Sequence, residues 1–377
     1  MSDSSAATRP PLDGIEILEL GSMIAVPAAT HLLATQGAAV IKVENPTTGD
    51  ELRRYGSQKN GMSGWFANAN AGKRSMILDL TDDQAKRALW KLIDRADVLV
   101  CGYRPGVIER LGFTWEEASR RNPRLIWVAS TGFGADGPYA DRPVYDPIIQ
   151  AASGWAGGQR GGDGPLLISA MIADKIAAVT AAQAITAAIA GRAADPLGRG
   201  RRLDLSMFEA NLAFMWPDQM MHATVLDDDA LHTPNVLAFY RLTQCSDGWV
   251  SVTQGTDAQW QAFCRALDRP ELASDERFAT AQARGADFEG WYDTIDEVMA
   301  QFTVDDALER LIAADVPAIR VAEPAEVPDD PQVLHRGSIA EIDHPVVGRM
   351  RMPQQAARFV DVTTLSPAPT HGQHTAE

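Results

Sequence analysis

Hydrophobic and polar positions alternate between two rhythms over the first half of the chain. IEILEL (residues 15–20) reads as a short buried strand. PAATHLLATQG then takes helical spacing, with Pro27 at its opening and Gly37 at its stop, and AVIKVE is a second strand. The cycle recurs: TDDQAKRALWKLIDRAD begins at a capping Thr81, carries early acids and leads into VLVCGY, and RLIWVAS follows another helical stretch. Strands joined in sequence through helices need right-handed crossovers, which build a parallel sheet covered on both faces. The pattern predicts a doubly wound, Rossmann-like α/β unit to about residue 205, and GRGRRLDLSMFEANLAFMW adds a glycine turn, a strand and a helix.

The rhythm breaks at VLDDDALHTPN, which is polar and loop-like. DGWVSVTQGTDAQWQAFCRALDRPEL opens a second unit, to which TVDDALERLIAADVPAIRV supplies a helix and a strand. HPVVGRMRMPQQAARF is short and strand-like and reads as a return to the first unit. The expected organisation is a large α/β domain of residues 1–210 plus 335–377 and a small α+β domain of residues 225–330. Residues 211–224 and 331–334 are read as linkers.

Composition narrows the partners. Of 377 residues 45% are hydrophobic and 22% charged, and 50 acids against 34 Lys and Arg give a formal charge of −16. Such a field repels nucleic acid and anionic membranes, so neither is an expected partner, although local donors can still bind a phosphate. Cys101, Cys245 and Cys264 are far apart and odd in number, and the histidines are scattered. No disulfide framework and no metal-ligand spacing emerges, which suits a reducing cytoplasm. The opening residues lack the apolar core of a secretory signal.

The α/β pattern invites dinucleotide binding, which needs G-x-G-x-x-G between the first strand and helix. The turn here is GSMIAVPAA, with one glycine, Gly21, and a β-branched Val26 where close approach is required. A P-loop and a G-x-S-x-G elbow are also absent. The stretch ISAMIADKIAAVTAAQAITAAIAG (168–191) holds one acid, Asp174, and one base, Lys175. It is too rich in Ala and too broken by Thr and Gln for a membrane span and reads as a buried helix. By residue type alone, Asp174 is either the N-cap of that helix or a nucleophile placed at its start.

The order and spacing of GKRSMILDL, RPGVIERLGFTWE, NPRLIWVASTGFGADGPYADRP, YDPIIQAASG and GRGRRLDLSMFEA carry a resemblance over nearly the whole chain. The chain resembles the class III CoA-transferases, which include formyl-CoA and carnitine CoA-transferases and the related α-methylacyl-CoA racemases. The resemblance implies acyl-CoA as donor, a carboxylic acid as acceptor, no metal, and an interlocked homodimer. It makes Asp174 the nucleophile, passing through an aspartyl–acyl anhydride and an aspartyl-CoA thioester. A carboxylate is ordinarily ionised at neutral pH, so this chemistry is expected to need no general base. The resemblance also puts CoA contacts on Leu78, Asp79, Leu80, Thr81, Tyr103, Arg104 and Arg110, and sets Ala25 near the thioester. Val144, Tyr145 and Asp146 would line the pantetheine side, Asp146 being otherwise a structural cap before Pro147.

Three departures set the chain apart from formyl-CoA transferase. Ile24 stands for a glutamine in the first turn, Asn45 for a phosphate-contacting arginine, and LHTPNVLAFY for a run of glycines. The racemase relatives use a histidine where this chain has Tyr145, a phenol that is a poor base at neutral pH, which favours the transferase reading. A non-catalytic acyl-CoA-binding protein is the remaining alternative. Trp65, Trp155, Met207, Met215, Trp216, Met220 and Met221 are candidates for an apolar acyl pocket.

Overall fold

In the computed structural model the described residues are 9–161, 164–227, 229–230, 237, 240–359 and 366–377. They form two compact units, residues 1–220 with 334–377, and residues 221–333.

The first unit is built on strand–helix cycles: β1 (Glu16–Leu20), α1 (Ala25–Ala34), β2 (Ala39–Glu44), α2 (Gly64–Asn70), β3 (Arg74–Ile77), α3 (Asp83–Ile93) and β4 (Val98–Cys101). The chain continues through α4 (Val107–Arg110), α5 (Trp115–Arg121), β5 (Ile126–Thr131), α6 (Asp146–Ser153), α7 (Ile172–Ala194), β6 (Arg202–Ser206) and α8 (Met207–Gln219). Residues 211–219, read from sequence as linker, lie in α8. The six strands are all parallel, in the order β6-β5-β4-β1-β2-β3, and Ile17 pairs with Val40 on one side and Val98 on the other. This is the doubly wound arrangement, whose winding direction reverses between β1 and β4.

Period-2 alternation sends the strand side chains to two separate cores. Ile17, Val40, Val98, Ile126 and Val128 pack with Leu33 of α1 and Ile185 and Ala188 of α7. Leu18, Leu20, Leu99 and Trp127 pack on the opposite face with Leu89, Ile93 and Phe113. Each such fully buried side chain contributes roughly 1.5–3 kcal/mol relative to exposure. The cap of α3 is Asp82, whose carboxylate accepts from the amides of Gln84 and Ala85, and Thr81 sits one residue ahead of it. The expected cap was thus one residue early, because Asp79 already holds Thr81 in a turn of its own.

By length and composition α7 is the one helix among the described residues that could cross a membrane. Here its alanine face, including Ala177, Ala178 and Ala181, is buried within the unit, much of it against α1. Thr180 and Thr186 return their hydroxyls to the carbonyls of Ile176 and Ala182 at 2.8 and 2.9 Å, which satisfies the polar interruptions within the helix.

In the second unit a three-stranded antiparallel sheet, β7 (Thr243–Gln244), β8 (Trp249–Val252) and β9 (Ala318–Arg320), packs with α9 (Asp257–Ala266), α10 (Phe288–Met299) and α11 (Val304–Ala313). Thr256 and Gln259 form a reciprocal capping box at the start of α9. The hairpin of β10 (Ile339–His344) and β11 (Gly348–Pro353) belongs to the first unit, and the chain end runs along the edge strand β3. There His374 donates its amide to Ser75 O at 2.9 Å and Thr375 Oγ1 accepts from the Ile77 amide. An otherwise open sheet edge is thereby covered.

Candidate active site

A cleft of about 290 Å³ lies beyond the carboxyl ends of β1, β4 and β5, at the point where the winding reverses. In doubly wound sheets this is the crevice left open by helices departing to opposite faces. Glycine follows each of these strands closely. A Cβ on Gly21 or Gly102 would fall 2.6 or 2.9 Å from the Val26 side chain, and one on Gly132 would fall 2.2 Å from that of Val144. The two valines therefore seat directly on the backbone of the turns, and Val26 occupies the space that a dinucleotide motif leaves open.

The N-terminus of α7 closes one wall. Met171 is its capping residue and makes no side-chain cap bond. The exposed N–H of Asp174 is satisfied from outside the helix, by Asp146 Oδ2 at 2.9 Å. Asp146 is buried at the start of α6, and its Oδ1 accepts from Gln150 Nε2 at 2.6 Å. Gln150 in turn clamps the segment before α7: its Nε2 donates to Ile168 O and Ala170 O, and its Oε1 accepts from the Ile168 amide. Asp146 thus caps a helix, but not its own. The carboxyl of Asp174 is left without a hydrogen bond among the described residues and borders the cleft.

Burial and the neighbouring Asp146 push Asp174 up to about 7. The expectation of a fully ionised carboxylate at neutral pH is therefore corrected: lost hydration and a like charge outweigh the helix N-terminus. A carboxylate poorly solvated when ionised is also a stronger nucleophile.

Of the positions named from the sequence, Ala25, Tyr103, Arg104, Val144, Tyr145 and Asp146 line the same cleft as Asp174. Tyr103 is pushed up to about 12 by burial. Arg104 is exposed and has no acidic partner among the described residues, so its guanidinium is available to an anion. Arg110, also exposed, lies near Gly106, where an added Cβ would be 2.8 Å from its Nη1. Asn45, Leu78, Asp79, Leu80, Thr81 and Arg110 do not line the cleft. Asn45 Oδ1 accepts from the amides of Thr47 and Thr48, Leu80 is core, and the exposed Asp79–Thr81 turn follows β3. Arg142, not singled out from the sequence, also lines the cleft and lies 3.7 Å over the Tyr139 ring.

Of the acyl-pocket candidates, Met207 lines the cleft, and Trp65 lines a neighbouring pocket of about 560 Å³. Met215 and Met220 pack at Gly154, and Trp155 donates to Asn211 at 3.0 Å, so these three serve the α6–α8 contact. The LHTPNVLAFY segment lies largely outside the described residues.

The sequence reading missed a buried ionic network that holds the first turn. Glu19 of β1 pairs in register with Lys42 of β2, both fully buried. Lys42 Nζ reaches Glu19 Oε1 and Gly21 O at 2.7 Å and Asp50 Oδ2 at 2.8 Å. Lys73 Nζ donates to Glu19 Oε2 and Pro27 O at 2.7 Å and to Asn70 Oδ1 at 2.9 Å. Each ammonium thus has three partners for its three N–H groups. Burial by itself would raise Glu19, but the two lysines hold it down at about 2. Burial lowers Lys73 to about 8. Asp50 Oδ1 accepts from the Met23 amide at 3.1 Å, and Met23 is left-handed at φ 66°, a conformation costing roughly 1–2 kcal/mol. Lys42 and Asp50 therefore fix both ends of the Gly21–Met23 turn that borders the cleft. The available signal was a charge inside each of two strands otherwise rich in core residues.

The sequence model of CoA-transferase family III matches residues 12–375. The chain belongs to CoA-transferase family III. This family III enzyme is 31% identical to succinyl-CoA–D-citramalate CoA-transferase of Chloroflexus aurantiacus, over 97% of this chain and 92% of that one. It is also 31% identical to acetyl-CoA:oxalate CoA-transferase of Acetobacter aceti, over 89% and 86%. The crystal structure of a CaiB/BaiF family protein from Brucella suis superposes with a TM-score of 0.83 at 31% identity, covering 98% of both chains. That of Rv3272 from Mycobacterium tuberculosis gives 0.85 at 28%, covering 98% of this chain and 99% of the other. The chain is thus a class III CoA-transferase, an enzyme acting on acyl-CoA, with the six-stranded parallel sheet and small antiparallel sheets described above.

Proposed function

We propose that this CoA-transferase moves CoA from an acyl-CoA to a carboxylic acid through covalent intermediates on Asp174. The observation that carries the reading is the unpartnered carboxyl of Asp174 in the cleft where the sheet reverses its winding. A carboxylate oxygen attacks the thioester carbonyl and expels CoA thiolate, forming an aspartyl–acyl anhydride. The thiolate attacks the aspartyl carbonyl, releases the donor acid and leaves an aspartyl-CoA thioester. An acceptor carboxylate attacks that thioester to give a new anhydride and thiolate. The thiolate then takes the acceptor's acyl group, and Asp174 is regenerated. No phosphate bond is consumed, because the acyl-group energy never passes to water.

Arg104 supports CoA binding as a free guanidinium at the cleft, and Tyr103, Val144 and Tyr145 offer walls for pantetheine. Asp146 acts by aiming the α7 N-terminus and raising Asp174. The experiment is incubation with acyl-CoA and hydroxylamine, followed by mass spectrometry of the peptide carrying Asp174. A hydroxamate at that residue is expected, and an unmodified residue under conditions of CoA binding refutes the mechanism.

A second reading has one observation in its favour: an acid titrating near 7 can also exchange an α-proton, as the racemase relatives do. Exchange of the α-proton of a 2-methylacyl-CoA with D₂O, without acyl transfer, would favour it. We further propose a cytoplasmic homodimer. Three unpaired, buried cysteines support a reducing compartment, and sedimentation of the purified protein tests the dimer.

A further inference from the structure

A pocket of about 560 Å³ adjoins the cleft and shares Met171 with it. Its walls include Ile24, Ala28 and the half-exposed Trp65, and Lys175 also contributes to its lining. Lys175 follows Asp174 on α7, so the two side chains diverge by about 100° around the helix. One borders the cleft and the other the neighbouring pocket, with Met171 between them. The side chain of Lys175 makes no hydrogen bond or ion pair with the described residues, and it is not among the groups that shift Asp174. Lys175 is exposed at the pocket, whereas the buried cations Lys42, Lys73 and Arg53 are already paired with acids and are not available to a ligand. A largely apolar chamber with one free ammonium recognises an apolar chain that ends in an anion.

We propose that this pocket receives the far end of the exchanged acid, and that Lys175 selects acids with a second carboxylate. The inference rests on Asp174 as the site of acyl transfer. The reacting carboxyl sits at Asp174, the methylene chain passes Met171 and lies against Trp65 and Ile24, and the distal carboxylate pairs with Lys175. Ile24 fits this arrangement, since an apolar side chain there extends the chain-binding wall. Lys175 is thus a specificity residue and takes no part in the bond-making steps.

The test compares Lys175→Met with the parent, using succinate, glutarate and adipate against butanoate, pentanoate and hexanoate as acceptors. A charge-assisted hydrogen bond predicts that kcat/KM for the dicarboxylates falls about 10- to 100-fold, mainly through KM. The monocarboxylates should change less than about twofold, and Lys175→Arg should restore most of the preference. Equal losses for both acid classes, no change in either, or a parent enzyme that prefers monocarboxylates would overturn the proposal. Binding read apart from turnover separates this inference from the covalent mechanism. Fluorescence titration with glutarate should show a Lys175-dependent signal that Trp65→Phe diminishes. Such binding without any adduct at Asp174 refutes the mechanism alone. An adduct without Lys175-dependent selectivity or binding refutes the pocket assignment alone.

Discussion

The backbone amide of Asp174 donates to the carboxylate of Asp146 at 2.9 Å, across two helices that meet at the mouth of the cleft. One aspartate therefore completes the helix terminus, and the other is freed from that task. The same contact brings a like charge close to Asp174, which together with burial raises it to about 7.

Replacing Asp146 by Asn keeps an oxygen for the Asp174 amide and removes the charge. The acid limb of single-turnover acylation should then move to lower pH by a fraction of a unit, since burial is the larger cause of the shift. An unmoved limb in the pH–rate profile would mean that Asp146 does not tune the nucleophile.

Asp174→Asn should abolish transfer by a factor of about 10³ or more if the carboxylate forms the covalent bond. Its stability effect has a defined sign. A carboxyl raised in the folded state is protonated there while the unfolded one is ionised, so folding loses free energy as pH rises from about 4 to about 7. The variant escapes that loss and should gain about 1–2 kcal/mol at pH 8, less than the full shift because the group is partly solvated. Urea denaturation of both proteins at pH 5 and pH 8 measures the difference.

Arg104→Gln should raise the KM for acyl-CoA by about tenfold or more and leave thermal stability nearly unchanged, because the side chain has no partner to lose. The parent's KM should rise with salt more steeply than the variant's. Steady-state kinetics at two ionic strengths decide it.

Lys42→Met should destabilise the fold by about 3–5 kcal/mol, since Asp50 and Gly21 O lose their buried partner. It should also release the Gly21–Met23 turn. Faster amide exchange at Met23, together with a lower denaturation midpoint, is the expected outcome.

Much of the large unit was legible in the chain. IEILEL, AVIKVE, VLVCGY and RLIWVAS announced strands because a sheet covered on both faces needs nearly continuous apolar runs. The ordered motifs identified the family and singled out Asp174. The cap of α3 lies one residue beyond the expected Thr81, because Asp82 is the stronger capping residue and Thr81 is engaged by Asp79.

What local sequence determined was therefore period, the succession of strands and helices along the chain, and the candidate carboxylate. The order of strands in the sheet, which reverses beside β1, came from the tertiary structure. Tertiary structure also decided the state of that carboxylate. Asp174 is lifted toward neutrality by water lost at the cleft and by an acid 28 residues away. Glu19 is held down by lysines 23 and 54 residues away. Protonation and orientation depend on which groups meet at distances of about 3 Å, and a linear chain does not encode those meetings locally.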